Sequence, residues 1–552
     1  MRDKPNILLI MADQLAAQAL SIYGNLVCKT PNIERLASQG VTFNNNYSNN
    51  PLCVPSRASM LTGKLSPEIQ VYDNGNEIAS SVPTMAHYMR SFGYQTFLSG
   101  KMHFIGPDQL HGFEERLTTD VYPSNFEWIS DWSAGPAFVP SGTALNGVVE
   151  AGPCIRTMQE DYDDDVEFQA RRKIFDIARQ DSSKPFFGVV SFTSPHTPFN
   201  VSQRYWDLYD HNNIGLPKVP AVPFRKLDYF SKALFFTHGR HRHSVTEEHL
   251  QKTRHAYFAM ISYIDEKIGN ILNQLEETGL RENTVVIFTS DHGEMLGERG
   301  MWFKQCFWEW SARVPLIISV PAGRKNANVG ANTSLVDLLP TQIGLAGNLN
   351  ELPEKIISGL AGNDLGSLLE GNEKDWPDCA IADYLSIGPC VPARMVRKGN
   401  YKFMYTHGHP DLLFDLVSDP DELNNLAKDQ NHKKTMDDLK KQAMKDYDPD
   451  LLMLKVIESQ QKRLFLKSVP GEMPSWDYVA YQGDEKRYVR RDGVDGTKSR
   501  LRLPRVETVP PDLPELSFHT IKSMMEGDID FDEFSPSKIH RKNICFCGLF
   551  VG

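Results

Sequence analysis

Three continuous apolar runs in this chain each end on residues that carry chemistry. Asn6–Ala12 runs into Asp13, residues 185–193 run into Ser194-Pro195-His196, and Thr284–Ser290 runs into Asp291-His292. A run that is apolar on both faces suits a central parallel strand covered by helices on either side. Stretches with helical character lie between them at 31–39, 84–92, 161–179 and 247–277, the first with Pro31 at its opening turn. A further strand is expected over residues 96–99, just before Lys101 and His103. Strand, polar turn and helix thus alternate, which defines an α/β fold with a large, mostly parallel sheet flanked by helices. Ligands in such folds gather outside the carboxyl ends of the strands. Asp13, Lys101, His103, His196, Asp291 and His292 all fall there.

The 552 residues exceed what one hydrophobic core usually organises. The pattern changes near residue 375: short strands are expected at 393–398, 401–403 and 413–416, with a turn at 419–422. The expected division is a catalytic domain over 1–375, a smaller C-terminal sheet-and-helix (α+β) domain over 376–467, and an extended tail over 468–552. That tail is rich in Pro, Arg and Asp and is expected to wrap a neighbour or stay loose. The net charge of −11 leaves no surplus of cations for phosphate backbones, so nucleic acid is excluded as a general partner. Eight scattered cysteines are too few for a disulfide scaffold, and Cys545-x-Cys547 lacks the second pair that a zinc site needs. Asp13 and Gln14 interrupt the first apolar run, so it reads as a buried strand and not a signal peptide. No stretch has the roughly 18 apolar residues of a membrane span, and a cytoplasmic, reducing location is the expectation. The segment Thr237-His238-Gly239-Arg240-His241-Arg242-His243 has no usual zinc spacing and is expected to be a solvated loop overhanging the pocket.

Cys53 sits among turn formers, Asn49-Asn50-Pro51 before it and Pro55-Ser56 after it, with a helix expected from about Ala58. That places the thiol at or near a helix N-terminus, where free N–H groups favour an anion. Arg57 follows one turn on and offers fork geometry for an oxyanion.

Cys53-Val54-Pro55-Ser56-Arg57-Ala58-Ser59-Met60-Leu61-Thr62-Gly63 resembles the signature of the sulfatase family, in which Cys-x-Pro-x-Arg directs oxidation of the cysteine to formylglycine. Pro5-Asn6-Ile7-Leu8 with Asp13, Thr30-Pro31-Asn32-Ile33, Gly100-Lys101-Met102-His103, Ser290-Asp291-His292-Gly293 and Leu413-Phe414-Asp415-Leu416 match the same family in order. The resemblance spans about residues 5–430 and implies an alkaline-phosphatase-like fold. It also implies a formylglycine-generating enzyme as the maturation partner. The implied site holds one divalent ion, Ca2+ or Mn2+, on Asp13, Gln14, Asp291, His292 and residue 53. One hydroxyl of the formylglycine hydrate attacks sulfur, and the other later expels sulfate. Arg57 belongs to the same signature. Lys101 and Lys304 are expected to meet sulfate oxygens, His103 to orient the hydrate, and His196 or Lys304 to protonate the leaving oxygen. Gln14 stands where many arylsulfatases have a second Asp, and His292 where they have Asn. The imidazole shifts metal preference mildly toward manganese.

Within the family, Met11-Ala12-Asp13-Gln14-Leu15, residues 108–120, Tyr205-Trp206-Asp207-Leu208-Tyr209 and Ser475-Trp476-Asp477-Tyr478 are similar to the choline sulfatase subgroup. A trimethylammonium head calls for aromatic faces and carboxylates. Trp128 is the expected stacking residue, with Asn74, Asp383 and Asp484 as further lining candidates. Leu145-Asn146 and Ser194-Pro195-His196-Thr197-Pro198 depart from the subgroup at the pocket and not at the sulfate end. The implied substrate is a small sulfate ester such as choline sulfate, and the implied assembly is a homodimer or homotetramer whose tails complete the sites. The alternatives are a phosphonate monoester or phosphodiester hydrolase of the same superfamily, and a sulfatase for a sugar or aryl sulfate.

Overall fold

The computed structural model describes residues 4–140, 144–180, 184–347, 349–471, 476, 478–489, 502–505 and 507–534; the Cys545 and Cys547 pair lies outside them. The central sheet is built from β1 (Asn6–Ala12), β2 (Val41–Tyr47), β3 (Gln95–Gly100), β4 (Glu115–Arg116), β5 (Phe186–Ser191), β6 (Thr284–Ser290), β7 (Leu316–Ser319) and β8 (Ala327–Ser334). Its order is β8-β2-β7-β6-β1-β5-β3-β4. Within this sheet only β7 runs against its neighbours. Every residue of β1, β5 and β6 is buried, as continuous apolar runs demand.

Side chains along β1 alternate between two cores. Leu8 and Ile10 pack with the helices Pro31–Ser38, Met158–Ala178 and Glu247–Glu277. Ile7, Leu9 and Met11 pack with Cys53–Thr62, Met85–Ser91 and Leu338–Ala346 on the opposite face. Thr157 with Glu160, and Thr246 with His249, form capping boxes that start the two longest helices of the first layer. The fold is therefore the α/β architecture expected, and the elements read at 6–12, 247–277 and 284–290 form over those residues.

The sequence reading missed β2, β7 and β8. Asn44-Asn45-Asn46 breaks the apolar pattern of β2, and Asn328, Gly330 and Asn332 break that of β8. Pairing to neighbours, and not periodicity, makes them strands.

A second, four-stranded antiparallel sheet follows in the C-terminal part: β9 (Cys379–Tyr384), β10 (Ala393–Lys398), β11 (Tyr401–Thr406) and β12 (Leu412–Asp415). The helices Lys433–Ala443 and Pro449–Ser468 pack beside it.

One expectation is corrected here. Residues 237–243 are not a solvated loop: His238, His241 and His243 are all buried, and His238 Nε2 lies 2.7 Å from Gln305 Oε1. The apolar helix before them, Tyr229–Thr237, draws the segment inward with Phe235 and Phe236. The described part of the tail lies on its own chain. Trp476 meets Phe126 edge-on, Tyr478 OH donates to the Arg116 carbonyl at 3.0 Å, and Tyr488 meets Tyr162. No helix among the described residues is long and apolar enough to cross a membrane.

Candidate active site

The strand order places β6, β1, β5 and β3 side by side. Their carboxyl ends therefore deliver Asp291 with His292, Asp13, the 193–196 turn, and Lys101 with His103 in one row. Gly100 ends β3 at φ 104°, and a Cβ there would stand 2.0 Å from the Ser191 carbonyl oxygen, so only glycine lets β3 and β5 run that close.

Cys53 opens the helix Cys53–Thr62, five residues earlier than the sequence reading placed it, and every residue of that helix is buried. Cys53 Sγ lies 3.2 Å from His292 Nε2. Burial pushes the thiol up, but Lys101, Lys304 and His292 outweigh it and hold it well below its ordinary value. Ser56 Oγ donates to the Asp291 carbonyl at 2.6 Å, which ties the helix to the end of β6.

Asp13, Cys53, Asp291 and His292 offer ligand atoms that all lie within 4.8 Å of one another, all buried. His292 Nδ1 lies 3.1 Å from the Gly293 carbonyl, which leaves its Nε2 lone pair facing the cluster. Asp13 Oδ1 is buried with no hydrogen-bond donor. A bare carboxylate oxygen in such a place is what a cation would satisfy, so the donor set fits a divalent ion. Asp291 is held well below the usual carboxylate range: burial raises it, and the charges of Arg57, His292 and Lys101 together more than reverse that. Gln14, at φ 65°, donates from Nε2 to Glu294 Oε2 at 2.5 Å, and its Oε1 accepts from Lys304 Nζ at 2.5 Å. Its amide oxygen thus faces the site but is engaged by a lysine.

Arg57 is a brace and not a free fork. Its Nε lies 2.8 Å from Asp291 Oδ2, and one terminal nitrogen donates to the Lys101 carbonyl at 2.7 Å and Ser191 Oγ at 2.9 Å. The other terminal nitrogen points toward Asp13 at 4.0 Å. Lys101 pairs with Asp13 and sits 4.4 Å above the Tyr122 ring. His103 is buried with its ring against Cys53, and apart from that thiol neither ring nitrogen has a hydrogen-bond partner. Asp120 holds its loop by accepting the Met102 and His103 N–H groups at 3.0 and 2.7 Å. His196 Nδ1 is 2.6 Å from the Thr197 carbonyl, and its Nε2 is 2.8 Å from Lys304 Nζ. Burial, then Lys304, keeps the His196 pKa below its ordinary value.

The head-group candidates separate. Trp128 is partly exposed and packs on His103 and Tyr122, with ring centroids 5.2 and 5.0 Å away. Asn74 instead caps the nucleophile helix, its Oδ1 accepting the Val54 N–H at 3.1 Å. Asp383 is given to Arg394, which reaches both carboxylate oxygens at 2.7 and 3.0 Å. Asp484 accepts from Thr119 Oγ1 at 2.6 Å, behind the Asp120 loop. Arg394 thus neutralises Asp383, whereas Asp484 is buried with the Thr119 hydroxyl as its donor. Three residues of the site escaped the sequence reading: Tyr122, whose hydroxyl lies 3.2 Å from His196 Nδ1, Asp120, and Glu294, whose buried carboxyl is pushed up to about 7. Glu294 carried a signal as the acid two positions after Asp291-His292, and Asp120 as the last residue of the 108–120 run, whereas Tyr122 carried none.

A buried thiol at a helix start, a ring of cations and a cluster of hard donors at the carboxyl ends of the central strands suit a hydrolase of anionic esters. The sulfatase family model matches residues 5–348, so the chain belongs to the sulfatase family, the sulfuric ester hydrolases. A second family model, N-sulphoglucosamine sulphohydrolase, C-terminal, matches residues 297–448. Choline-sulfatase of Rhizobium meliloti is 39% identical over 516 residues, 91% of this chain and 99% of that protein. Ulvan-active sulfatase of Formosa agariphila is 31% identical over 433 residues, 77% of each. Among solved structures, phosphonate monoester hydrolase of Agrobacterium radiobacter superposes with a TM-score of 0.63 at 25% identity, covering 83% of this chain and 96% of that one.

Proposed function

We propose that this chain hydrolyses a small alkyl sulfate ester, choline sulfate or a close relative, with residue 53 as formylglycine and one Ca2+ or Mn2+ ion. The observation that carries this reading is the Trp128–Tyr122 aromatic pair standing directly against His103, beside Cys53. A quaternary ammonium head donates no hydrogen bond and is held by such faces. The similarity to choline-sulfatase over nearly the whole of both chains supports the same substrate.

Asp13, Asp291, His292 and Gln14 would hold the ion, which would gather the negative charge of the ester, and a formylglycine hydrate at residue 53 would supply the attacking hydroxyl and a later exit for sulfate. The chain's own residues supply the rest. Lys101 and Lys304 place two cations on the sulfate oxygens. Arg57 fixes Asp291 relative to the Lys101 backbone. His103, whose ring faces residue 53, receives a hydroxyl of that residue. Lys304 is the proton donor to the leaving oxygen, because His196 is engaged as its acceptor. A formylglycine-generating enzyme matures residue 53 in this scheme. A homodimer or homotetramer is the proposed assembly, supported by Leu451, Leu454 and Phe465, which the helix Pro449–Ser468 leaves exposed.

A second reading, phosphonate monoester hydrolysis, is favoured by the likeness to the Agrobacterium radiobacter enzyme. Comparing kcat/KM for choline sulfate, 4-nitrophenyl sulfate and a phenylphosphonate monoester separates the two. Choline sulfate is expected to lead, and Trp128→Ala is expected to raise its KM while sparing the aryl sulfate. A lead for the phosphonate, or an equal effect of Trp128→Ala on both sulfates, overturns the proposal.

A further inference from the structure

A buried ion pair joins the C-terminal helix to the wall that carries Trp128. Arg463, on Pro449–Ser468, places its two terminal nitrogens 2.7 and 3.0 Å from the two oxygens of Asp73. Arg463 is 6% and Asp73 0% exposed. Desolvating two charges is costly, and plain apolar packing would attach a helix as well. What Asp73 does with its remaining acceptor capacity gives the pair a purpose. Its Oδ1 accepts the Gly75 N–H at 2.9 Å, and its Oδ2 accepts the Ser130 N–H at 3.2 Å. One carboxylate thus closes the turn beyond the nucleophile helix and also holds the segment bearing Trp128.

The two segments touch backbone to backbone. A Cβ on Gly75 would stand 2.8 Å from the Ile129 nitrogen, so the contact requires glycine. Asn74, between Asp73 and Gly75, caps Val54 at the start of the nucleophile helix. The C-terminal helix also reaches the Trp128 segment directly: Gln460 Oε1 accepts the Trp132 N–H at 3.0 Å. The chain from Arg463 to Asp73 therefore branches, one arm to residue 53 and one to Trp128.

We infer that Arg463 is a positioning residue for substrate selection: through Asp73 it sets the spacing between Trp128 and the nucleophile, and so the fit of the alcohol half of the ester. The inference rests on the proposed role of Trp128. Its carrier is the fork geometry, since a lysine keeps the charge but reaches as a single point and cannot hold both oxygens.

The test uses full-length protein carrying Arg463→Lys, with Arg463→Met as a stronger break, alone and combined with Trp128→Ala. Metal content and the mass of the residue-53 peptide are checked first. Substrates are choline sulfate and its uncharged isostere, 3,3-dimethylbutyl sulfate, and hydrogen exchange is followed in the 124–132 peptide. Arg463→Lys is expected to raise KM for choline sulfate about tenfold with kcat within about twofold, and to lose that effect in the Trp128→Ala background. Exchange in 124–132 is expected to accelerate. Additive effects of the two substitutions, or a KM for choline sulfate that does not move, overturn the inference. Unchanged exchange overturns it whatever the substrate. If exchange accelerates while Trp128→Ala leaves both substrates alike, the choline reading fails and the hold of Arg463 on the segment stands.

Discussion

Lys304 donates to His196. Its Nζ lies 2.8 Å from His196 Nε2, while His196 Nδ1 faces the Thr197 carbonyl at 2.6 Å. A carbonyl only accepts, so Nδ1 carries the proton and Nε2 offers a lone pair. The imidazole is neutral and already occupied, which leaves the ammonium as the group with a proton to give.

Lys304→Met is therefore expected to lower kcat on an alkyl sulfate by about 10²–10⁴-fold. On 4-nitrophenyl sulfate, whose leaving group departs without help, the loss is expected to be at least tenfold smaller. Steady-state kinetics on both esters checks this, and equal losses would assign Lys304 to sulfate binding alone.

Asp13→Ala and Asp291→Ala are each expected to abolish metal retention, because Asp13 Oδ1 accepts no hydrogen bond from the protein and Asp291 is shared with Arg57. Elemental analysis of the purified variants reads this directly, together with loss of any thermal stabilisation by added Ca2+ or Mn2+.

Cys53→Ser is expected to fold, since the helix is packed along its whole length, and to lose nearly all turnover. Conversion of the wild-type cysteine replaces sulfur and two hydrogens by one oxygen, which intact mass detects. Full activity in protein that keeps an unmodified thiol contradicts the proposed chemistry.

Deleting the chain after residue 470 is expected to lower kcat about tenfold. The tail holds Thr119, which accepts the Ala480 N–H at 2.7 Å and donates to Asp484, and the adjoining Asp120 fixes the His103 loop. Sedimentation of the same truncated protein reports whether the tail also holds the proposed assembly together.

Asp337 gives a pH test away from the metal ligands. Its buried carboxyl accepts the Ser334 and Asn363 N–H groups, both at 2.7 Å, and burial pushes its pKa up to about 7. A carboxyl raised in the folded state stabilises fully below its unfolded pKa near 4 and loses that contribution as pH rises to about 7. The stability of wild type relative to Asp337→Asn is expected to fall across that window by on the order of 3 kcal/mol, and urea midpoints at several pH values measure it.

Asp13, Lys101, His103, His196, Asp291 and His292 were legible because each follows an apolar strand, and those four strands are neighbours in the sheet, whereas Cys53 and Lys304 came from the family resemblance. The strands β2 and β8 and the Tyr122 half of the aromatic pair were not. β2 and β8 carry asparagines where an alternating pattern is needed, so only pairing reveals them. Asp383 and Asp484 read as available carboxylates, yet Arg394 and Thr119 claim them across 11 and 365 positions of sequence. Arg57 was found by its motif, but its role as a brace depends on three acceptors from three different elements. Tyr122 had no mark at all: an aromatic in a loop gains its meaning from the histidines it meets.

The strand order sets a clock on biosynthesis. β1 lies between β5 and β6, so the first strand to leave the ribosome waits for residues 284–290 before its second neighbour exists. Until then the sheet edge cannot form, and the stretch around Cys53 has no completed core to bury it. In the finished fold Cys53 is 2% exposed and its helix is covered throughout. Any enzyme that oxidises this thiol must work in the interval between. At roughly 5–20 residues per second, that interval is on the order of tens of seconds. In the proposed maturation, the modifying enzyme races closure of the sheet, and conditions that slow translation or folding are expected to raise the converted fraction.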